Sequence, residues 1–171
     1  LMLADSVLPA DIDPAAARAP RGARAILLTG ATGFLGAYLL RELLRGTRAT
    51  VYCLLRPGTE SDGRARIRRA LESWGIWAPS FDGRVEIVAG DIEQPRLGLS
   101  MAEFKGLSRS IDTIFHCAAS VNWSAAYSGV RSANVLGTGE ILRLAALYRR
   151  KPVHFVSSVA ACFSTDGPRE V

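Results

Sequence analysis

Apolar and polar positions along the chain alternate between two textures. Short apolar runs at 25–29, 50–55, 84–88, 112–117 and 153–157 predict strands, and the segments between them, 34–45, about 62–74, about 100–108 and 131–149, predict helices. The first helix carries Leu35, Leu39, Leu40, Leu43 and Leu44 on one side, and the last carries Val135, Ile141, Leu142, Ala145 and Leu147 in a comparable stripe. Regular alternation of strand and helix predicts an α/β fold with a doubly wound, Rossmann-type parallel sheet. Right-handed crossovers then give the strand order 3-2-1-4-5. Residues 1–24, with Pro9, Pro14, Pro20 and many alanines, hold neither period and read as a linker or arm on the surface of a domain spanning 25–171.

The first strand breaks into Gly30, Gly33 and Gly36, and the helical pattern begins at once. A sharp turn, close approach of a pyrophosphate to bare backbone, and tight packing of helix on strand all call for glycine here. Phosphates would lie on the free amides of the helix N-terminus, where the helix dipole favours negative charge. An ordinary glycine-rich turn is the plain alternative. The strand before it and the helix after it favour the dinucleotide reading.

The other strand ends carry the remaining candidates. The second ends in Arg56, where many NAD-binding proteins place an acidic residue; a cation favours a 2′-phosphate, hence NADP(H). Arg66 could reach the same phosphate, unless either arginine is merely a surface residue. After the third strand, Asp91 in Gly90-Asp91-Ile92 could accept from the adenine amino group while Ile92 covers the ring. Its alternative is a turn cap. After the fourth, the small residues Ala118, Ala119 and Ser120 permit close approach of the ribose and nicotinamide. His116 reads as a packed strand residue, Asn122 as a polar contact, and Asn134 as a structural bridge between strand ends. The fifth strand delivers Ser157 and Ser158 to the same edge, where a hydroxyl can support a carbonyl oxygen gaining negative charge or can simply satisfy turn backbone.

Composition narrows the setting. With 171 residues, 49% of them hydrophobic, the chain can bury the core of one domain. Its net charge of +5 comes from arginine, clustered at Arg64, Arg66, Arg68 and Arg69 and again, with a lysine, at Arg149, Arg150 and Lys151. Both clusters read as solvated helix faces or as attractors of anionic partners. Aromatics are not interleaved with them and no nucleic-acid motif is present, so a nucleic-acid partner is not expected. The longest apolar runs fall short of the roughly 20 residues that span a bilayer, so no membrane helix is expected. No secretory signal is visible, and no metal site is expected. Cys53, Cys117 and Cys162, odd in number and set in apolar surroundings, fit buried free thiols in a reducing cytoplasm.

Taken together, the stretches Leu28–Gly36, Val51–Arg56, Gly90–Ile92, His116–Asn122, Ala133–Thr138 and Phe155–Ser158 resemble the extended short-chain dehydrogenase/reductase family. Cys53-Leu54-Leu55-Arg56, Trp74, Trp77, Pro95–Ser100 and Val121-Asn122 with Tyr127 narrow this to thioester reductase domains of carboxylic acid reductases and nonribosomal peptide synthetases. The resemblance covers about residues 4–165. It implies that Gly30, Thr32, Gly33, Phe34, Leu35 and Gly36 form the pyrophosphate turn, and that Arg56 and Arg66 hold the 2′-phosphate. It further implies that Asp91 and Ile92 hold adenine, Ala118, Ala119 and Ser120 flank ribose and nicotinamide, and Ser158 stands where the family has a catalytic threonine. The implied reaction is NADPH-dependent release of an acyl thioester from the phosphopantetheine of an upstream acyl or peptidyl carrier protein, giving an aldehyde or, after a second reduction, an alcohol. Such reductases also use a Tyr-x-x-x-Lys pair, but Tyr38, Tyr52, Tyr127 and Tyr148 are followed four residues on by Glu42, Arg56, Arg131 and Pro152. The pair is expected some 25–40 residues beyond Ser158, so the chain reads as the cofactor portion of a truncated domain without its substrate subdomain, inactive by itself. A sugar-nucleotide epimerase or dehydratase, and a non-catalytic nucleotide-binding or carrier-docking module, are the other readings.

Overall fold

A parallel sheet with strand order β3-β2-β1-β4-β5 forms the centre of the molecule. The computed structural model describes residues 1–13, 15, 23–56, 63–122 and 124–159. Its strands are β1 (Ala25–Thr29), β2 (Thr50–Leu55), β3 (Val85–Ala89), β4 (Thr113–His116) and β5 (Val153–Phe155). The expected order is therefore the observed one. Register is continuous across the centre: Leu28 lies opposite Cys53 on one side and Phe115 on the other.

β1 shows why the centre of such a sheet reads as an unbroken apolar run. Ile26, Leu27, Leu28 and Thr29 are all buried, because helices cover both faces. Successive side chains point to opposite faces, so Ile26 and Leu28 join one core with Leu40, Leu44, Ile67 and Leu71. Leu27 enters the other, with Phe104, Ile114, Ile141 and Leu144. Burying a side chain of this size contributes about 1.5–3 kcal/mol.

The helices are α1 (Met2–Asp5), α2 (Phe34–Gly46), α3 (Gly63–Ser73), α4 (Met101–Ser110), α5 (Tyr127–Arg131) and α6 (Gly137–Ala146). Two expectations need correction here. On α2 the buried set is Gly36, Ala37, Leu40, Leu43 and Leu44, while Leu35 stands half in solvent. The single helix expected over 131–149 begins earlier, ends earlier and contains a π-helical segment, Ser132–Leu136, between α5 and α6. That wider turn shifts the phase of the stripe, so Ala133, Gly137, Ile141, Leu144 and Ala145 are buried rather than Val135 and Leu142.

The basic cluster at 149–151 is not a solvated helix face. Chain direction reverses after Leu147, with Tyr148 at φ 63°, and Lys151 folds back into the protein with 3% of its surface exposed. Its ammonium donates to the Leu144, Leu147 and Arg149 carbonyls and to Ser108 Oγ, all within 3.1 Å, closing the C-terminus of α6. Arg149 pairs with Asp112 at 2.9 Å. The other cluster does lie on a helix, α3, where Arg64 reaches Glu86 and Arg68 reaches Glu72.

Along 1–13 the chain lies over α5 and α6. Asp5 accepts from Tyr127 Oη at 2.7 Å and from Arg131 Nε and Nη2 at 2.6 Å, and these bonds draw its pKa down to about 2. Asp11 pairs with Arg143 at 2.5 Å. Cys53 is buried, Cys117 is partly buried and both thiols are free; Cys162 lies outside the described residues. No described helix is long and apolar enough to cross a membrane.

Candidate functional site

The carboxyl ends of β1 to β4 open into a cavity of about 410 Å³. Gly30, Thr32, Gly33, Arg56, Arg66, Ile92, Ala118, Ala119 and Ser120 line it, so most of the residues singled out from the sequence meet in one place. Ser158 does not reach this cavity. It lines a second hollow, of about 480 Å³, that shares the wall Cys117–Ser120 and extends past Asn122 and Thr138 to Phe155.

The glycines act by what they exclude. Gly30 sits at φ 72°, and a Cβ there would lie 2.8 Å from the Ala118 nitrogen, so the turn can pass against the end of β4 only without a side chain. At Gly36 a Cβ would lie 2.0 Å from the Gly30 carbonyl oxygen; this residue is buried behind the turn and brings α2 onto it, and it does not line the cavity. Gly33 caps α2 with no side-chain acceptor, leaving the first-turn amides of Phe34, Leu35 and Gly36 for a ligand. The Phe34 ring is 62% exposed and packs on Tyr38 and Trp74, with centroids 5.2 and 5.1 Å away, while Leu35 is half exposed. Only the backbone of these two residues can serve the turn. An open, side-chain-free cradle at a helix N-terminus fits the pyrophosphate of a dinucleotide.

At the far end, Arg66 Nη1 donates to the Arg56 carbonyl at 2.6 Å, holding the two arginines together. Asp91 is a turn cap in this structure: its Oδ1 accepts from the Glu93 amide at 3.0 Å, and the residue does not line the cavity. Behind it, Arg96, Leu97 and Gly98 all adopt positive φ, a left-handed turn that costs about 1–2 kcal/mol per non-glycine residue. The Leu97 carbonyl accepts from the Asp91 amide at 2.8 Å, and Glu140 Oε2 accepts from the Arg96 amide at 2.9 Å. These bonds press the Asp91–Glu93 turn against the start of α6.

A directional hydrogen-bond relay builds the shared wall. Thr29 Oγ1 accepts from the Cys117 and Ala118 amides at 3.2 and 3.0 Å, so its own proton goes to His116 Nδ1 at 2.7 Å. The imidazole must then carry its proton on Nε2, which faces Thr138 Oγ1 at 3.2 Å, and that hydroxyl donates to the Asn134 carbonyl at 2.7 Å. Asn134 accepts from the Ser120 amide at 2.7 Å and donates to the Ser120 carbonyl at 3.0 Å. Burial pushes the His116 pKa down to about 4, so the ring is neutral near pH 7 and packs as a strand residue. Asn134, set in the π-helical segment, is structural as expected, but it ties the helix to the single loop after β4 at Ser120 rather than bridging neighbouring strand ends. Asn122 caps its own turn, accepting from the Ser124 amide and hydroxyl at 3.1 and 2.9 Å.

Sequence reasoning passed over Thr29, Thr138 and Glu93. The one available signal was Thr29 itself, a polar residue at the buried end of an otherwise apolar strand. No cluster of metal-ligating residues occurs among the described residues.

A glycine turn between β1 and α2, opening where the strand ends converge, defines a Rossmann-type nucleotide-binding domain. The chain belongs to the male sterility protein family of NAD-binding domains, whose profile matches residues 28–171, and a nicotinamide dinucleotide is its cofactor class. It is 47% identical over 152 residues to a linear gramicidin synthase polypeptide of Brevibacillus parabrevis, covering 89% of this chain and 3% of that protein. Among solved structures, the terminal R domain from the myxalamid PKS-NRPS biosynthetic pathway superposes with a TM-score of 0.89 at 53% identity, covering 93% of this chain and 41% of that one. A thiolation-reductase di-domain from an archaeal non-ribosomal peptide synthetase superposes with a TM-score of 0.70 at 27% identity, covering 87% and 30%. The chain thus spans less than half of each, and the resemblance to peptide-synthetase reductase domains read from its motifs is borne out.

Proposed function

We propose that this chain is the NADPH-binding portion of a thioester reductase that releases an acyl group from a carrier protein as an aldehyde. The observation that carries this reading is the junction of two hollows. The cradle with Arg56 and Arg66 at its far end shares the Cys117–Ser120 wall with the hollow that holds Ser158. The Thr32 amide and the first-turn amides of Phe34, Leu35 and Gly36 hold the pyrophosphate where Gly33 opens the turn, Arg56 and Arg66 the 2′-phosphate, Ile92 the adenine face, and Ala118 to Ser120 the nicotinamide side. Asp91, a turn cap outside the cavity, supports the adenine pocket by shaping the turn that presents Ile92. Bound there, the reduced cofactor would supply a hydride to the thioester carbonyl carbon. The Ser158 hydroxyl donates a hydrogen bond to the carbonyl oxygen as it becomes negative, and the small side chains at 118–120 leave room for the reacting groups to meet. Collapse of this tetrahedral oxyanion re-forms the C=O bond, breaks the C–S bond and expels the carrier thiolate, which gives the aldehyde.

The partner in this reading is an upstream carrier protein bearing a phosphopantetheine thioester, with residues 1–24 as the connecting arm and 25–171 as the binding domain. The free thiols of Cys53, buried, and Cys117, partly buried, support a reducing, cytoplasmic setting. Calorimetric titration tests the cofactor assignment: NADPH binds more tightly than NADH, and Arg56→Asp abolishes the preference. Equal affinities for the two nucleotides in the native chain would refute the 2′-phosphate site. In the parent protein, Ser158→Ala lowers kcat by about 10²-fold, the usual loss for one oxyanion donor.

A further inference from the structure

The cavity holds a charged side chain that belongs to no motif. Glu93 lines it beside Arg56, with Oε1 3.9 Å from Arg56 Nη1. That separation is beyond hydrogen-bond reach, so the attraction is Coulombic and leaves the guanidinium donors unspent. The other oxygen, Oε2, accepts from the Ser132 hydroxyl at 3.3 Å, which holds the carboxylate to one side of Arg56. Its backbone cannot retreat. The Glu93 amide is tied to Asp91, and a Cβ at Gly137 would already lie 2.6 Å from the Ile92 carbonyl oxygen.

We infer that Glu93 is a specificity-determining residue that holds down the preference for NADPH over NADH. This rests on the reading of Arg56 as the 2′-phosphate contact. A carboxylate beside Arg56 repels a 2′-phosphate dianion, yet it can accept hydrogen bonds from the free ribose hydroxyls of NADH, as acidic residues do in other dinucleotide sites. Its effects on the two cofactors are therefore opposite in sign. Charges a few ångströms apart at a partly solvated, salt-screened surface still interact strongly enough for about a 3- to 10-fold change in relative affinity.

Calorimetric titration of the 171-residue chain with NADPH and NADH tests this. In Glu93→Gln, NADPH binds more tightly and NADH no better than in the native chain, raising the NADPH-to-NADH affinity ratio about 3- to 10-fold. Ser132→Ala, which releases the carboxylate to lean on Arg56, lowers the ratio. An unchanged or lowered ratio in Glu93→Gln, with Arg56→Asp still abolishing the preference, overturns the role of Glu93 alone. A native chain that binds both nucleotides equally overturns this inference together with the 2′-phosphate assignment.

Discussion

The two walls of the cavity are built in different ways. On the β1–α2 side, the turn is written within seven consecutive residues, Gly30 to Gly36, and fails or succeeds by backbone clearance alone. On the β4 side, the wall is a relay through Thr29, His116, Thr138 and Asn134, residues as far as 109 positions apart that meet only once the sheet has formed. One wall is local and steric; the other is long-range and held by hydrogen bonds. The local wall should therefore break abruptly under substitution, and the long-range one by degrees.

The largest effect is expected from Gly36→Val. A branched side chain must displace the Gly30 carbonyl that a Cβ would approach to 2.0 Å, and overpacking of this kind costs about 1–3 kcal/mol or more. Thermal denaturation should show the loss, and nucleotide titration should show no binding in whatever remains folded. A variant that keeps both native stability and affinity would mean that the turn does not govern the site.

The relay is probed next by pH. The folded His116 pKa of about 4 lies below the ordinary 6.5, so between these values the unfolded chain binds the proton that the folded chain refuses. Its contribution is complete above pH 6.5 and is lost as the pH falls towards 4, by at most about 3 kcal/mol. Urea denaturation across that range measures the slope, and His116→Gln flattens it. A native profile with no slope there would remove the neutral imidazole from the relay.

Asn134→Ala is milder. It strands the Ser120 amide and carbonyl, both only part-buried, for a loss of about 1–2 kcal/mol in urea denaturation. Loosening of the 118–120 loop should weaken nucleotide binding while leaving the Arg56-dependent preference intact. If that preference fell as well, the two ends of the cavity would be coupled rather than separate.

How much of this was legible in the sequence follows the same division. The strands and the glycine turn were readable because neighbours in sequence create them, and the strand order because crossovers between parallel strands are right-handed. Arg56 was readable because a strand end fixes where its residue emerges. The π-helical segment was not, since its apolar stripe is out of phase with a regular helix and Asn134 is held there by Ser120, on another element. Nor was the left-handed turn at Arg96–Gly98, which depends on Glu140 and Asp91 rather than on any preference of arginine or leucine. Lys151 looked like one of a run of solvated cations, and only the fold shows that it closes the end of α6.

The relay from Thr29 to Asn134 contains no charged group. At physiological ionic strength, dissolved salt weakens attractions between exposed charges beyond about 8 Å and does little to buried neutral contacts. Added electrolyte should therefore relax the hold on the phosphorylated end of a bound nucleotide and leave the opposite wall as it was. One cavity would thus respond to its ionic surroundings at one end only.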